Sequence, residues 1–127
     1  MQIYTIPGAP EAIGPYSHAI RTGNLVFCSG QTPLDPATMQ LVGETIGDQT
    51  ERVLDNLKIV LGGMELSLQN VVKTTVFLKD MDDFQGMNEV YAKIFAPHKP
   101  ARSTIAVRQN PLDALVEIEC IAEINEG

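Results

Sequence analysis

The chain has 127 residues, 44% of them hydrophobic, and 16 acids against 9 Lys and Arg give it a net charge of −7. That length predicts a single domain, 1–127, able to bury roughly two-thirds of its unfolded surface. The acidic balance, with basic residues no more clustered than Lys99 and Arg102, opposes a phosphate backbone and argues against nucleic-acid binding.

Two cysteines, Cys28 and Cys120, sit inside apolar runs and fit neither a zinc spacing nor a CxxC pair, so they read as buried, reduced thiols. His18 and His98 form no ligand pattern, and no metal is expected. The N-terminus carries no signal-peptide pattern and no run is long enough to span a membrane, so the expected compartment is the cytoplasm.

In chain order, Gln2 to Ile6 is a short edge strand closed by Pro7-Gly8-Ala9-Pro10. IGPYSHAI and LVFCSGQ flank Gly23-Asn24 and predict a hairpin, with Gly30 allowing close approach at the second strand's end. Thr32 to Thr38 is a Pro-bearing polar loop. From Ile46 to Met64 the period becomes helical, with Val53, Leu54, Leu57, Val60 and Leu61 in one stripe. Gln49, Glu51, Arg52, Asp55 and Lys58 lie opposite, and Thr45 with Asp48 resembles a capping box.

Asn70 to Lys79 is β-branched and predicts a strand with Val72, Thr74, Val76 and Leu78 on one face. Its other face, Val71, Lys73, Thr75 and Phe77, is also largely apolar and calls for a second cover, such as a neighbouring subunit. Asp80 to Asp83 caps a second helix that buries Phe84, Met87, Val90, Tyr91, Ile94 and Phe95. Pro100 to Ile121 then gives two strands. Arg102 opens the first, while Glu117, Glu119 and Glu123 share one side of the second, opposite Val116, Ile118, Cys120 and Ala122. The order is β-β-β-α-β-α-β-β, with both helices on one side of the sheet.

A cation and a carboxylate on neighbouring sheet segments suggest a site for a small acid. From spacing alone, Arg102 is equally an ion-pair partner of Glu117 or Glu119.

GPYSHAI, SGQTPLDPAT, NVVKTTVFLKDMDDF, NEVYAKIF, PARSTIAV and VEIECIA, in this order over nearly the whole chain, resemble the RidA/YjgF family of enamine/imine deaminases. The resemblance implies an α+β, chorismate-mutase-like fold: a mixed six-stranded sheet with two helices packed on one face. It also implies a homotrimer with a cleft at each subunit interface and no cofactor or metal. The implied reaction is hydrolysis of 2-imino acids, released by pyridoxal-phosphate dehydratases, to 2-oxo acids and ammonia.

By the same resemblance, Arg102 binds the substrate carboxylate and Glu119 positions the water. Tyr16 and Ser29 line the pocket beside the Gly30 backbone. Asn88 comes from the adjacent subunit, and Thr104 stands where many members have cysteine. Glu117 and Glu123 read as solvated or interface charges. The chemistry is consistent: arginine grips a carboxylate bidentately, and an imine that hydrolyses spontaneously needs only positioning and a general base. The competing functions are a non-catalytic small-acid-binding or chaperone-like trimer and, less favoured by the charge, a ribonuclease or translation inhibitor.

Overall fold

The computed structural model describes residues 1–125. The strands are β1 (Gln2–Tyr4), β2 (Ala19–Thr22), β3 (Leu25–Gln31), β4 (Val71–Leu78), β5 (Ala101–Ala106) and β6 (Val116–Glu123). The helices are α1 (Ile46–Gly62) and α2 (Phe84–Phe95). The expected element order is therefore met. The six strands form one mixed sheet in the order β1-β2-β3-β6-β4-β5. Only β4 and β5 pair in parallel, across the α2 crossover.

The last strand occupies the middle. β6 pairs antiparallel with both β3 and β4, so Val116, Ile118, Cys120 and Ala122 lie at the centre of the core. Their alternation with Glu117, Glu119 and Glu123 follows the pleat, as the sequence predicts. One consequence departs from the sequence reading. β5 and β6 are not neighbours, because β4 runs between them.

Both helices cover the same face. The α1 stripe of Val53, Leu54, Leu57, Val60 and Leu61 is fully buried, and from α2 Met87, Tyr91 and Phe95 join the same core. Thr45 caps α1 by accepting from the Asp48 N–H at 3.1 Å. Gln49, assigned to the polar face, is instead buried. Its amide donates to the Gly43 carbonyl and its oxygen accepts from the Leu115 N–H at 2.8 Å, so two loops take up its polar atoms. In the acidic segment, Asp80 caps the short 3-10 turn Met81–Asp83, whereas Asp83, at the start of α2, makes no side-chain cap bond.

Two bulges alter faces that alternation alone assigns. The β4–β6 register slips by one residue between Val71 and Lys73. Val71 thereby enters the core and Val72 becomes exposed, the reverse of the sequence assignment. The β3–β6 register slips between Cys28 and Gln31, so Ser29 and Gly30 together stand opposite one residue of β6.

The face of the sheet away from the helices carries Leu25, Phe27 and Ile105 beside Lys73, Thr75, Ser103 and Glu119. Phe27 is 44% exposed and Ile105 46%. Cys28 and Cys120 are free, buried and directly opposed across β3 and β6. Their mutual hydrogen bond, followed by burial, pushes the Cys120 thiol well above its ordinary range, so it stays neutral. Among the described residues no helix is long and apolar enough to cross a membrane, and no group of three or more His, Cys, Asp or Glu could hold a metal ion.

Candidate active site

The nominated residues fall into two groups on different walls of the molecule. The first surrounds a cavity of about 380 Å3 whose lining includes Tyr16, Ser29, Gly30, Glu117 and Glu119.

His18 builds the entry to this cavity. It is buried, accepts from the Ile6 N–H at its Nδ1 (2.8 Å) and bonds the Pro10 carbonyl through its Nε2 (2.8 Å). Those partners require a neutral ring protonated on Nε2, and they tie the N-terminal segment to the start of β2. The Ser29 hydroxyl donates to the Ser17 carbonyl at 2.6 Å, and the Ser29 N–H donates to the His18 carbonyl at 3.0 Å. Ser29 is thus left as a hydrogen-bond acceptor. The Tyr16 hydroxyl, which accepts from the Ile13 N–H at 3.3 Å, keeps its own proton to donate.

At Gly30, in the bulge, a side chain would press against Glu117. A Cβ there would lie 2.9 Å from Glu117 Cδ and 3.0 Å from its Oε1. The Glu117 carboxylate therefore rests against the Gly30 backbone. Burial, and then the charge of neighbouring Glu119, hold its carboxyl above the usual range. Glu119 is exposed. Of the two acids, the half-buried one whose proton affinity is raised is Glu117, which the sequence reading set aside as a solvated or interface charge. No local signal separates the two, since both occupy the same face of β6.

The second group lies on the helix side. Arg102 pairs in register with Thr74, on the core face, and its guanidinium stacks over the rings of Tyr91 (4.9 Å) and Phe84 (5.6 Å) of α2. The Tyr91 hydroxyl shares a 2.6 Å hydrogen bond with Thr74, and burial raises its phenol, so the ring stays neutral under the cation. Arg102 and Asn88 line a second cavity, of about 640 Å3, together with Pro97 and His98.

Thr104, two residues along the same face of β5, lines neither cavity. Its Oγ1 and the Asn88 Oδ1 are buried without a hydrogen-bond partner among the described residues. The described ion pairs are Lys58–Asp55 and Lys79–Asp113, and Arg102 belongs to neither.

Arg102 and Glu119 therefore do not meet within one chain. Glu119 is in register with Thr75 and projects from the open face of the sheet, whereas Arg102 projects toward α2. The ion-pair alternative for Arg102 fails for the same reason. Nor does Arg102 share a cavity with Tyr16, Ser29 and Gly30 of its own chain: the two cavities have no lining residue in common.

Comparison with known proteins matches residues 7–124 to the family model described as Endoribonuclease L-PSP. The chain is 53% identical over 114 residues to a RutC family protein of Pyrococcus horikoshii, covering 90% of each. It is 47% identical over 123 residues to the chloroplastic Reactive Intermediate Deaminase A of Arabidopsis thaliana, covering 97% of this chain and 66% of that protein. Among solved structures, TdcF of E. coli with bound serine is similar with a TM-score of 0.89 and 38% identity, covering 96% of this chain and 99% of that one. With the matched region running almost end to end, the chain belongs to the Endoribonuclease L-PSP family, also known as RidA/YjgF.

Proposed function

We propose that this protein hydrolyses small 2-imino acids to 2-oxo acids and ammonia, in sites assembled from two copies of the chain within a homotrimer. The carrying observation is the division of the nominated residues. A guanidinium unpaired with any described carboxylate stands on the helix-side wall, and a half-buried carboxylate of raised proton affinity beside a bulged backbone stands on the other. The similarity to Reactive Intermediate Deaminase A supports the reaction class. The serine bound to TdcF supports a ligand of amino-acid size. The exposed Phe27 and Ile105 on the open sheet face support burial against a second copy.

In this reading Arg102 of one copy grips the substrate carboxylate bidentately, with Asn88 on the same wall. Across the cleft, Glu117 of the next copy takes a proton from water as the water oxygen bonds to the imine carbon and the C=N electron pair moves to nitrogen. Glu117 returns that proton to the nitrogen. Glu117 then relays the hydroxyl proton to the nitrogen as the C–N bond breaks, its electron pair leaving with ammonia and the C–O bond becoming the carbonyl of the 2-oxo acid. Ser29 accepts a hydrogen bond from the water, Tyr16 donates to the nitrogen lone pair, and the Glu119 charge strengthens Glu117 as a base. Phosphodiester cleavage fits this acidic cavity poorly, because Glu117, Glu119 and Glu11 all line it.

The test generates 2-iminobutanoate from threonine with threonine dehydratase and traps it with semicarbazide. The protein should lower the trapped fraction, and Arg102→Ala and Glu117→Gln should each abolish that effect. Refolding the two inactive variants together should restore about one quarter of the activity, because one site in four would draw an intact residue from each copy. Activity in Arg102→Ala, or no recovery in mixed oligomers, would refute the assignment.

A further inference from the structure

The lining of the Glu117 cavity is of two kinds. Ser29, Gly30, Glu117 and Glu119 offer polar atoms, whereas Ile13 and Leu112 offer exposed apolar side chains, which places them toward its solvent side. Both are exposed, Ile13 to 66% and Leu112 to 53%. Leu112 is held there at a conformational cost. Its φ is 58° and that of Asp113 is 56°, two consecutive non-glycine residues in the left-handed region.

The segment is pinned on both sides. Buried Asn110 donates to the carbonyls of Phe77 (3.1 Å) and Ala114 (3.2 Å), and Asp113 pairs with Lys79 at 2.9 Å. Glycine would adopt the Leu112 backbone without strain, and a polar residue would suit its exposure. An apolar side chain is instead presented to the cavity. Ile13, which lines the same cavity, donates its N–H to the Tyr16 hydroxyl at 3.3 Å.

We propose that Leu112 and Ile13 form an apolar lip that receives the substrate's side chain and makes the protein favour 2-imino acids with branched or extended aliphatic chains. The proposal rests on the imine-hydrolysis reading above. With the carboxylate held at Arg102 and the imine carbon over Glu117, the remaining substituent points toward the cavity mouth. There it covers two side chains that otherwise face water, so each added methylene is desolvated against Leu112 or Ile13. A charged side chain would lose its hydration at the same place with no partner offered.

The experiment compares kcat/KM for imines made in situ by an amino-acid oxidase from alanine and from leucine, again with semicarbazide trapping. Wild type should favour the leucine-derived imine. Leu112→Gly should lower the leucine-to-alanine ratio by about 10-fold or more, and Ile13→Ala should lower it in the same direction. A ratio unmoved in both variants overturns the lip. So does a variant that keeps its ratio but loses oligomeric state by sedimentation, which would assign the two residues to subunit contact. If wild type accelerates neither imine, the hydrolytic reading itself fails and the lip falls with it. Activity on both with an unmoved ratio sinks the lip alone.

Discussion

Replacing Gly30 by alanine separates stability from catalysis. The new Cβ would stand 2.9 Å from Glu117 Cδ, and ordinary contact begins near 3.4 Å, so the carboxylate must withdraw by about 0.5 Å. What gives way is the far end of a flexible side chain, and Gly30 does not have a left-handed φ. Alanine also restricts the unfolded chain, which stabilises by about 0.4–1 kcal/mol and offsets most of the repacking cost. Stability should therefore change by less than about 1 kcal/mol. A misplaced base is more costly to catalysis, because a shift of about 1 Å at the reacting groups can lower the rate 100-fold, and half of that should still cost about 10-fold. Thermal melts and the semicarbazide assay measure the two quantities independently. In the Glu117→Gln background the same alanine should have almost no further effect on rate, since the group it displaces is already disabled. Additive losses in that cycle would refute the argument, as would full activity in Gly30→Ala.

Two further substitutions probe the supports of the cavity. Burial and the Glu119 charge let folded Glu117 keep its proton to higher pH than the unfolded chain does, so its contribution to stability is present below the ordinary value of 4.5 and lost as pH rises through the raised one. Glu117→Gln, always neutral, should melt above the parent at pH 8 and level with it at pH 4; a lower melting temperature at pH 8 contradicts this. Asn56 is fully buried, donates to the carbonyls of Thr32 (3.0 Å) and Leu34 (2.9 Å), and accepts from Arg52 (2.9 Å). Asn56→Ala should cost about 2–4 kcal/mol in chemical denaturation by leaving these groups unpaired, and a loss below about 1 kcal/mol would mean that water replaces the amide.

Much of the fold was legible because two periods, 3.6 in Ile46–Gly62 and 2 in Val116–Glu123, each matched one buried face. Gln49 was misplaced because its partners, Gly43 and Leu115, lie in loops whose position no helical period encodes. Val71 and Val72 exchanged faces because a bulge inserts one residue into a β-branched run without any glycine or proline to mark it. The second bulge matters more to function. Whether Glu117 or Glu119 lies against Gly30 depends on the slip between Cys28 and Gln31, a pairing about 90 residues apart in the chain and invisible to local pattern. The resemblance to a known family supplied Arg102, Tyr16 and Ser29, yet alternation within β5 and the position of β4 decide that Arg102 faces away from the other two.

That separation has an electrostatic logic. The cavity holding Ser29 and Gly30 is lined by Glu11, Glu117 and Glu119, a poor place for a substrate carboxylate on its own. Arg102 lies over the rings of Tyr91 and Phe84 and belongs to neither described ion pair, so its charge is not neutralised by a described carboxylate. In the proposed reaction the two walls correct one another. The guanidinium offsets the substrate's charge against the glutamates, and the raised proton affinity of Glu117 strengthens it as a base. Placing both groups on one chain at contact distance would have produced the ion pair that the sequence alone equally allowed. Arg102 would then be neutralised and Glu117 held deprotonated, which would lower its strength as a base. Keeping them on opposite faces of one sheet prevents that pairing in the isolated chain; in the proposed reaction they meet only across an interface, with the substrate between them.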